Sequence, residues 1–339
     1  MVRTSAITKQ NRWAQCVSPS DFIIRECSMN HANHNDEKKP FPWHIVIFLS
    51  PALLIYTAFS VYPLLDTLFL SLFNEQQGKS TFVGLQNFIT LITDDNWSDA
   101  FWNALGNNFK FFAIHMLIQN PIGLLLAVLL SSPKLRLSGT YRTLIFMPTM
   151  LSVVIIGFVW QLLLSPIWGI SENLLYSIGL GDYFDAWLGK EGSALITLGL
   201  ISVWQFVGIP MMLIYATLLN IPDDIIDAGV VDGANSLQTF WYIKLPLILP
   251  TIAMVSILTF VANFNAFELI YAVKGALAGP NFSTDLMGTF FYRTFFGFQL
   301  QQGSASMGAA VATLMFLIIL VGVMLFLFFV QHRIQRFRF

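Results

Sequence analysis

Six stretches of this chain, each about as long as a bilayer-crossing helix, hold no Asp, Glu, Lys or Arg: Ile45–Leu65, Phe111–Leu130, Leu144–Leu164, Ala194–Leu219, Leu247–Phe267 and Met307–Val330. A hydrocarbon core about 30 Å thick is crossed by roughly 20 mostly apolar helical residues. A helix also pairs its own backbone polar groups where no water can do so. Composition agrees: of 339 residues, 55% are hydrophobic and 11% charged, against roughly 25% charged in a soluble domain. The fold expected is an all-α membrane protein with six transmembrane helices. The first window follows a polar tail, residues 1–42, that is too long for the n-region of a signal peptide. Its apolar run also exceeds an h-region, so it reads as a retained helix.

Lys and Arg orient the helices, because cytoplasmic segments carry the excess. With the N-terminus in the cytoplasm, thirteen lie on that side: Arg3, Lys9, Arg12, Arg25, Lys38, Lys39, Lys134, Arg136, Arg142, Lys244, Arg333, Arg336 and Arg338. Only Lys79, Lys190, Lys274 and Arg293 fall outside, with Lys110 at the outer mouth of the second helix. An even number of spans returns the C-terminus to the cytoplasm. The net charge of −1 offers nothing to a nucleic acid; the lipid bilayer is the partner that composition implies. The external segments 66–110, 165–193 and 268–306 are longer than hairpins need. Trp97, Trp102, Trp168 and Trp187 within them suit an aromatic belt at the outer interface, or a surface that docks an outside partner.

The tail mixes charges without apolar periodicity, the composition of a disordered segment, and Met29 heads a more compact start. Cys16 and Cys27 read as free thiols in a reducing compartment. His31 and His34 have no acidic or thiol cluster beside them, so no metal site is expected. The windows contain no HExxH, GxSxG or acidic pair, which leaves no catalytic residues to name. Gly78-Lys79-Ser80 looks like the end of a phosphate-binding loop, but Phe73 stands where GxxxxGK[ST] requires its first glycine. It reads as a polar turn. The chain is therefore expected to hold no ATP site, no cofactor and no enzymatic activity of its own.

Residues 220–246 are richer than a connector. Pro222 suits the first turn of a helix, and Asp223 and Asp224 complement its positive end. Ile225, Ile226, Val230 and Val231 give it an apolar face. Gly233 allows a break, and Ser236 is a candidate cap for a second short helix with Phe240, Trp241 and Ile243, stopped by Pro246. An exposed apolar knob marks a protein interface. Asp223, Asp224, Asp227 and Asp232 argue against a membrane-surface helix, since the inner leaflet is itself negative.

This loop resembles the EAA motif of ATP-binding-cassette importer permeases: an EAA triplet, three residues, glycine, nine residues, then Ile-x-Leu-Pro. The matching positions are Asp227, Ala228, Gly229, Gly233, Ile243, Leu245 and Pro246, with Asp232 and Ala234 flanking the glycine. Asp227 replaces the usual Glu with a shorter acid. Gly229 replaces Ala, which weakens a helix by roughly 1 kcal/mol. Elsewhere, Phe82-Val83-Gly84-Leu85-Gln86-Asn87-Phe88 is similar to the FxGLxNF segment of sugar-importer permeases. Trp204 to Asp224, Asn263-Phe264-Asn265 with Phe267, Gly279-Pro280 through Phe296, and Gly308 to Ala312 resemble later segments of the maltose-importer membrane subunits, the larger one in particular. The likeness covers roughly residues 42–335.

The resemblance implies a type I importer fold whose permease domain, 43–335, carries a cytoplasmic coupling helix. It implies a second permease subunit completing the path, a pair of ABC ATPase subunits beneath the two permeases with the knob docked in a cleft of one of them, and an extracytoplasmic sugar-binding protein. In the maltose relatives, positions resembling Ser202, Gln205, Phe206, Ile209, Thr259, Ala262, Asn263 and Ala266 line the sugar site. Polar groups in mid-membrane carry function by default, though they also join helices to one another. His115, Gln119 and Asn120 fit either the path or packing between spans. Pro121, Pro148, Pro210 and Pro250 bend spans as fixed kinks or hinges, and Glu268 either pairs with Lys274 or faces water. A gradient-driven transporter would need intramembrane carboxylates or broken helices with repeat symmetry, and a phosphate importer would favour Arg or Lys in the path. The six windows hold no Asp, Glu, Lys or Arg.

Overall fold

The computed structural model describes residues 43–334 other than 77, 78, 133, 134, 169 and 299–301. The tail bearing Cys16, Cys27, Met29, His31 and His34 lies outside the described residues, as do Lys134, Arg336 and Arg338. The chain divides into two units. The first ends at Ile55 and is helical from Trp43; the second runs from Tyr56 and holds the remaining elements. Among the described residues, five helices are long and apolar enough to cross a membrane: Val46–Leu70 (span 1), Asp95–Leu130 (span 2), Glu191–Leu219 (span 4), Ser236–Lys274 (span 5) and Ala305–Phe329 (span 6).

Span 3 is broken where one helix was expected over Leu144–Leu164. Ser138–Met150 and Val153–Leu163 meet at 95°. Pro148 sits in a tight turn, Met147–Met150, and Leu151 then leaves the helical region at φ −81, ψ 148. A carbonyl freed by such a break needs a donor where no water reaches. Gln205, fully buried in span 4, supplies it: its Nε2 donates to the Leu151 carbonyl at 3.2 Å.

Three spans contain a π turn, Thr57–Val61, His115–Gln119 and Thr239–Lys244, and each precedes a proline: Pro63, Pro121 and Pro246. A proline has no N–H for the carbonyl four residues back. In all three cases that carbonyl belongs to the π turn, whose i→i+5 pairing absorbs the mismatch. Pro246 therefore does not stop the short helix before span 5. It opens the Leu245–Phe264 segment of one helix that is continuous from Ser236.

The all-α expectation is amended by one antiparallel hairpin, β1 (Phe73–Gln76) with β2 (Lys79–Phe82), between spans 1 and 2. Asn87 fastens it, donating from Nδ2 to the carbonyls of Ser71 and Phe73, both at 2.8 Å. Gly84 makes the preceding turn at φ +59. The asparagine and glycine of the FxGLxNF segment thus tie the hairpin to the helix that follows it.

Three apolar clusters hold the second unit together. One joins spans 2, 4 and 5 around Ala127, Met211, Ile214, Ile248 and Val255. Another joins spans 2 to 5 around Phe111, Ile156, Leu198 and Ile270. The third packs Phe101 and Ala104 of span 2 on Phe290 and on Ala310 and Val311 of span 6. Span 4 approaches its neighbours closely at Gly208, where a Cβ would lie 2.9 Å from the Phe146 Cα.

Candidate functional site

Spans 2 to 5 enclose a cavity of about 480 Å³. Ser202, Phe206 and Ile209 of span 4 line it, facing Thr259, Ala262, Asn263 and Ala266 of span 5. Gln205 is not among the lining residues; it is spent on the break in span 3. Span 2 adds His115 and Gln119, both delivered by its π turn. The end of span 5 adds Asn265, Phe267 and Glu268.

The polar groups are hydrogen-bonded in a consistent direction. A backbone carbonyl can only accept, so each bond to one fixes the donor. His115 donates from Nδ1 to the Phe111 carbonyl at 2.8 Å, leaving Nε2 to accept from the Ser202 hydroxyl at 2.9 Å. Gln119 donates from Nε2 to the Phe206 carbonyl at 3.3 Å. The Thr259 hydroxyl lies 3.1 Å from Asn120 Oδ1 and 2.9 Å from the Val255 carbonyl, and Asn263 donates to the Thr259 carbonyl at 2.7 Å. Asn120 does not line the cavity and acts between spans. Glu268 begins a short helix after the interruption at Asn265–Phe267 and forms no ion pair among the described residues. Lys274 instead donates to the Leu188 carbonyl.

The loop between spans 4 and 5 stands away from this core. Asp223–Val231 is a helix with no buried residue, with Asp223 and Asp224 in its first turn and Pro222 at its N-cap. Gly233 turns the chain at φ +84. The next helix is capped by Asn235, one residue before the expected Ser236, in a reciprocal box with Gln238 at 2.9 Å in both directions. Gly229 faces Ile243: a Cβ there would come within 2.4 Å of its Cδ1. The glycine that departs from the EAA pattern therefore makes room for the isoleucine of the same motif. Asp227, Ala228, Asp232 and Gly233 are exposed, and Ala234, Ile243, Leu245 and Pro246 are half-buried at the root. Ile225, Val230, Val231, Leu237, Trp241 and Tyr242 stay exposed, Val231 at 87%.

The loop between spans 5 and 6 is the opposite. Asp285 and Arg293 form a buried ion pair at 2.7 Å, with Thr289 donating to the carboxylate and Arg293 also donating to the Ala276 carbonyl. Burial pushes the Asp285 carboxyl above its ordinary value; Arg293 and Thr289 pull it back. Three asparagines of span 2 fasten this loop. Asn103 donates to the Phe282 carbonyl, and Asn107 donates to those of Ser283 and Asp285. Asn108 accepts from the Met287 N–H at 2.7 Å and donates to the carbonyl of cavity-lining Asn263 at 3.0 Å. Of the tryptophans expected at the outer interface, Trp102 and Trp168 are exposed, while Trp187 packs against the apolar core.

Residues 119–338 match the model of the family described as binding-protein-dependent transport system inner membrane component. The chain belongs to that family. A probable ABC transporter permease, YurN of Bacillus subtilis, is 32% identical over 81% of this chain and 91% of its own length. The lactose transport system permease LacF of Rhizobium radiobacter is 30% identical over 85% and 93%. The arabinooligosaccharides transport system permease AraP of B. subtilis is 27% identical over 84% and 86%. Among solved structures, a chain of a bacterial ABC transporter that imports the acidic polysaccharide alginate superposes with a TM-score of 0.72 at 22% identity, covering 88% of this chain and 96% of that one. The inner-membrane permease thus has the importer fold. As a family member, it is a transport component rather than an enzyme.

His115, Gln119 and Glu268 line the cavity without a local sequence signal that singles them out. Glu268 lies one residue beyond a charge-free window, where an acid reads as the end of a span. His115 and Gln119 are four apart, and only the π turn and the facing wall show that both reach the cavity.

Proposed function

We propose that this permease forms one half of the path of an ATP-driven, binding-protein-dependent sugar importer. The cavity supports this reading most directly: seven of the eight positions assigned to the sugar path by resemblance line one space between spans 4 and 5. The names of LacF and AraP agree with a carbohydrate cargo. A second permease subunit completes the path, and a soluble binding protein delivers sugar from outside. Both termini lie in the cytoplasm, as the Lys and Arg distribution supports. The 220–246 loop then faces a pair of ATPase subunits.

Asp227, Ala228, Gly229, Asp232, Gly233 and Ala234 form the contact, and Ile243, Leu245 and Pro246 join it to span 5. Because span 5 is helical without a break from Ser236 to Phe264, a push on its cytoplasmic end reaches Thr259 and Asn263 without an intervening joint. Nucleotide closure thereby rocks the cavity between inward- and outward-open states. Uptake of labelled mono- and disaccharides by cells lacking this chain tests the reading. Loss of uptake of at least one sugar is expected; unchanged uptake of all of them contradicts it.

A further inference from the structure

The direction of the cavity's hydrogen bonds carries information about its cargo. Ser202, Gln119 and Asn263 each give a proton to the protein: to His115, to the Phe206 carbonyl and to the Thr259 carbonyl. Asn265 likewise donates to the Val261 carbonyl at 2.9 Å. Their acceptor sides are left over. Gln119 is 6% exposed, lines the cavity, and its Oε1 has no partner among the described residues. Glu268, an acceptor-only group when ionised, lines the same cavity, and no Lys or Arg does.

We infer that this wall reads its cargo through the protons of sugar hydroxyls, and that Gln119 and Glu268 are substrate-contacting, specificity-determining residues. Both lie outside the positions assigned by resemblance. A buried acceptor without a donor is costly, and a hydroxyl that turns toward Gln119 Oε1 removes that cost. An analogue lacking that hydroxyl leaves it in place, which is how a polar pocket rejects a deoxy ligand. The carboxylate of Glu268 accepts hydroxyl protons equally well and repels a second carboxylate, so the cargo is a neutral, donor-rich sugar rather than an acidic one. This inference rests on the sugar-importer reading and adds the chemistry of the path wall.

The test uses the complete importer in proteoliposomes with its own binding protein. Radiolabelled glucose, maltose, lactose, arabinobiose and raffinose are offered first, then the monodeoxy analogues of whichever is carried. The binding protein is the same for every variant, so a change in discrimination arises in the path. Gln119→Met, close to isosteric, is expected to lower uptake of the parent sugar about ten-fold, the worth of one hydrogen bond. It should leave the analogue lacking one particular hydroxyl unaffected. Glu268→Gln is expected to do the same at a different hydroxyl. Equal losses for the parent and every analogue in both variants would assign the two side chains to packing and overturn the inference while leaving the importer reading intact. Transport of none of the five sugars by the wild type would overturn both.

Discussion

The two loops that flank span 5 are built on opposite terms. The one after it, from Gly275 to Ser304, closes on itself: Thr284, Asp285, Leu286, Met287 and Thr289 are fully buried. Its charges are paired with one another, and its carbonyls are taken by Asn103 and Asn107. The loop before it has no buried residue in its first helix and leaves Val231, Trp241 and Tyr242 in the open. A segment whose charges are paired with one another and whose carbonyls are capped by a neighbouring span is part of the scaffold. A segment that exposes aliphatic and aromatic side chains next to four aspartates has the character of a protein interface. The difference supports rigidity at one end of span 5 and the proposed docking at the other.

The comparison can be broken most easily at the buried pair. Arg293→Met strands the Asp285 carboxylate in the interior and is expected to cost about 3–5 kcal/mol. A much lower thermal midpoint of the detergent-purified complex would register it, and adding Asp285→Leu should restore much of the loss. An unchanged midpoint in the single variant would mean that the loop is not the scaffold described. Asn108→Ala comes next. It frees the Met287 N–H and the Asn263 carbonyl together, at about 2–4 kcal/mol for two unsatisfied groups. Because Asn263 lines the cavity, sugar KM should change as well. A fall in midpoint without a change in KM would separate the loop from the path.

The 220–246 loop sharpens the contrast with smaller effects on stability. Gly233→Ala forces a residue with a Cβ into φ +84, at about 1–2 kcal/mol, yet it redirects the knob. ATPase activity stimulated by sugar-loaded binding protein should fall severely while the permease remains folded in the membrane. Trp241→Ser, at an exposed position, should move the midpoint by no more than about 0.5 kcal/mol and weaken co-purification of the ATPase. If Trp241→Ser destabilised the chain as much as Asn108→Ala, the exposed face would be structural after all.

What could be read from the sequence follows the same division. Crossing a bilayer needs only length and apolarity, so five of the six windows overlap intact helices. The two helices and the turn of the 220–246 loop are legible through spacing, because Asp227 to Pro246 is a single local segment with its own caps. The break in span 3 was hidden, since Leu144–Leu164 is apolar on both sides of it and Pro148 alone does not separate a kink from a rupture. What stabilises the break is Gln205, 54 residues away, and no local pattern carries that. The same holds for Asn103, Asn107 and Asn108, whose partners lie 155–179 residues along the chain. By resemblance and as an amide within a span, Gln205 reads as a path residue; its hydrogen bond to the Leu151 carbonyl shows what it holds instead.

The most direct measurement is a cysteine cross-link between this permease and its ATPase subunit. It is made in a Cys16→Ser, Cys27→Ser background carrying one new cysteine at Val231 or at Phe282. Val231→Cys, on the open loop, should capture an ATPase surface cysteine in high yield and do so differently with and without ATP, while Phe282→Cys should capture none. Capture from Phe282, or from neither position, would contradict the assignment of the two ends of span 5.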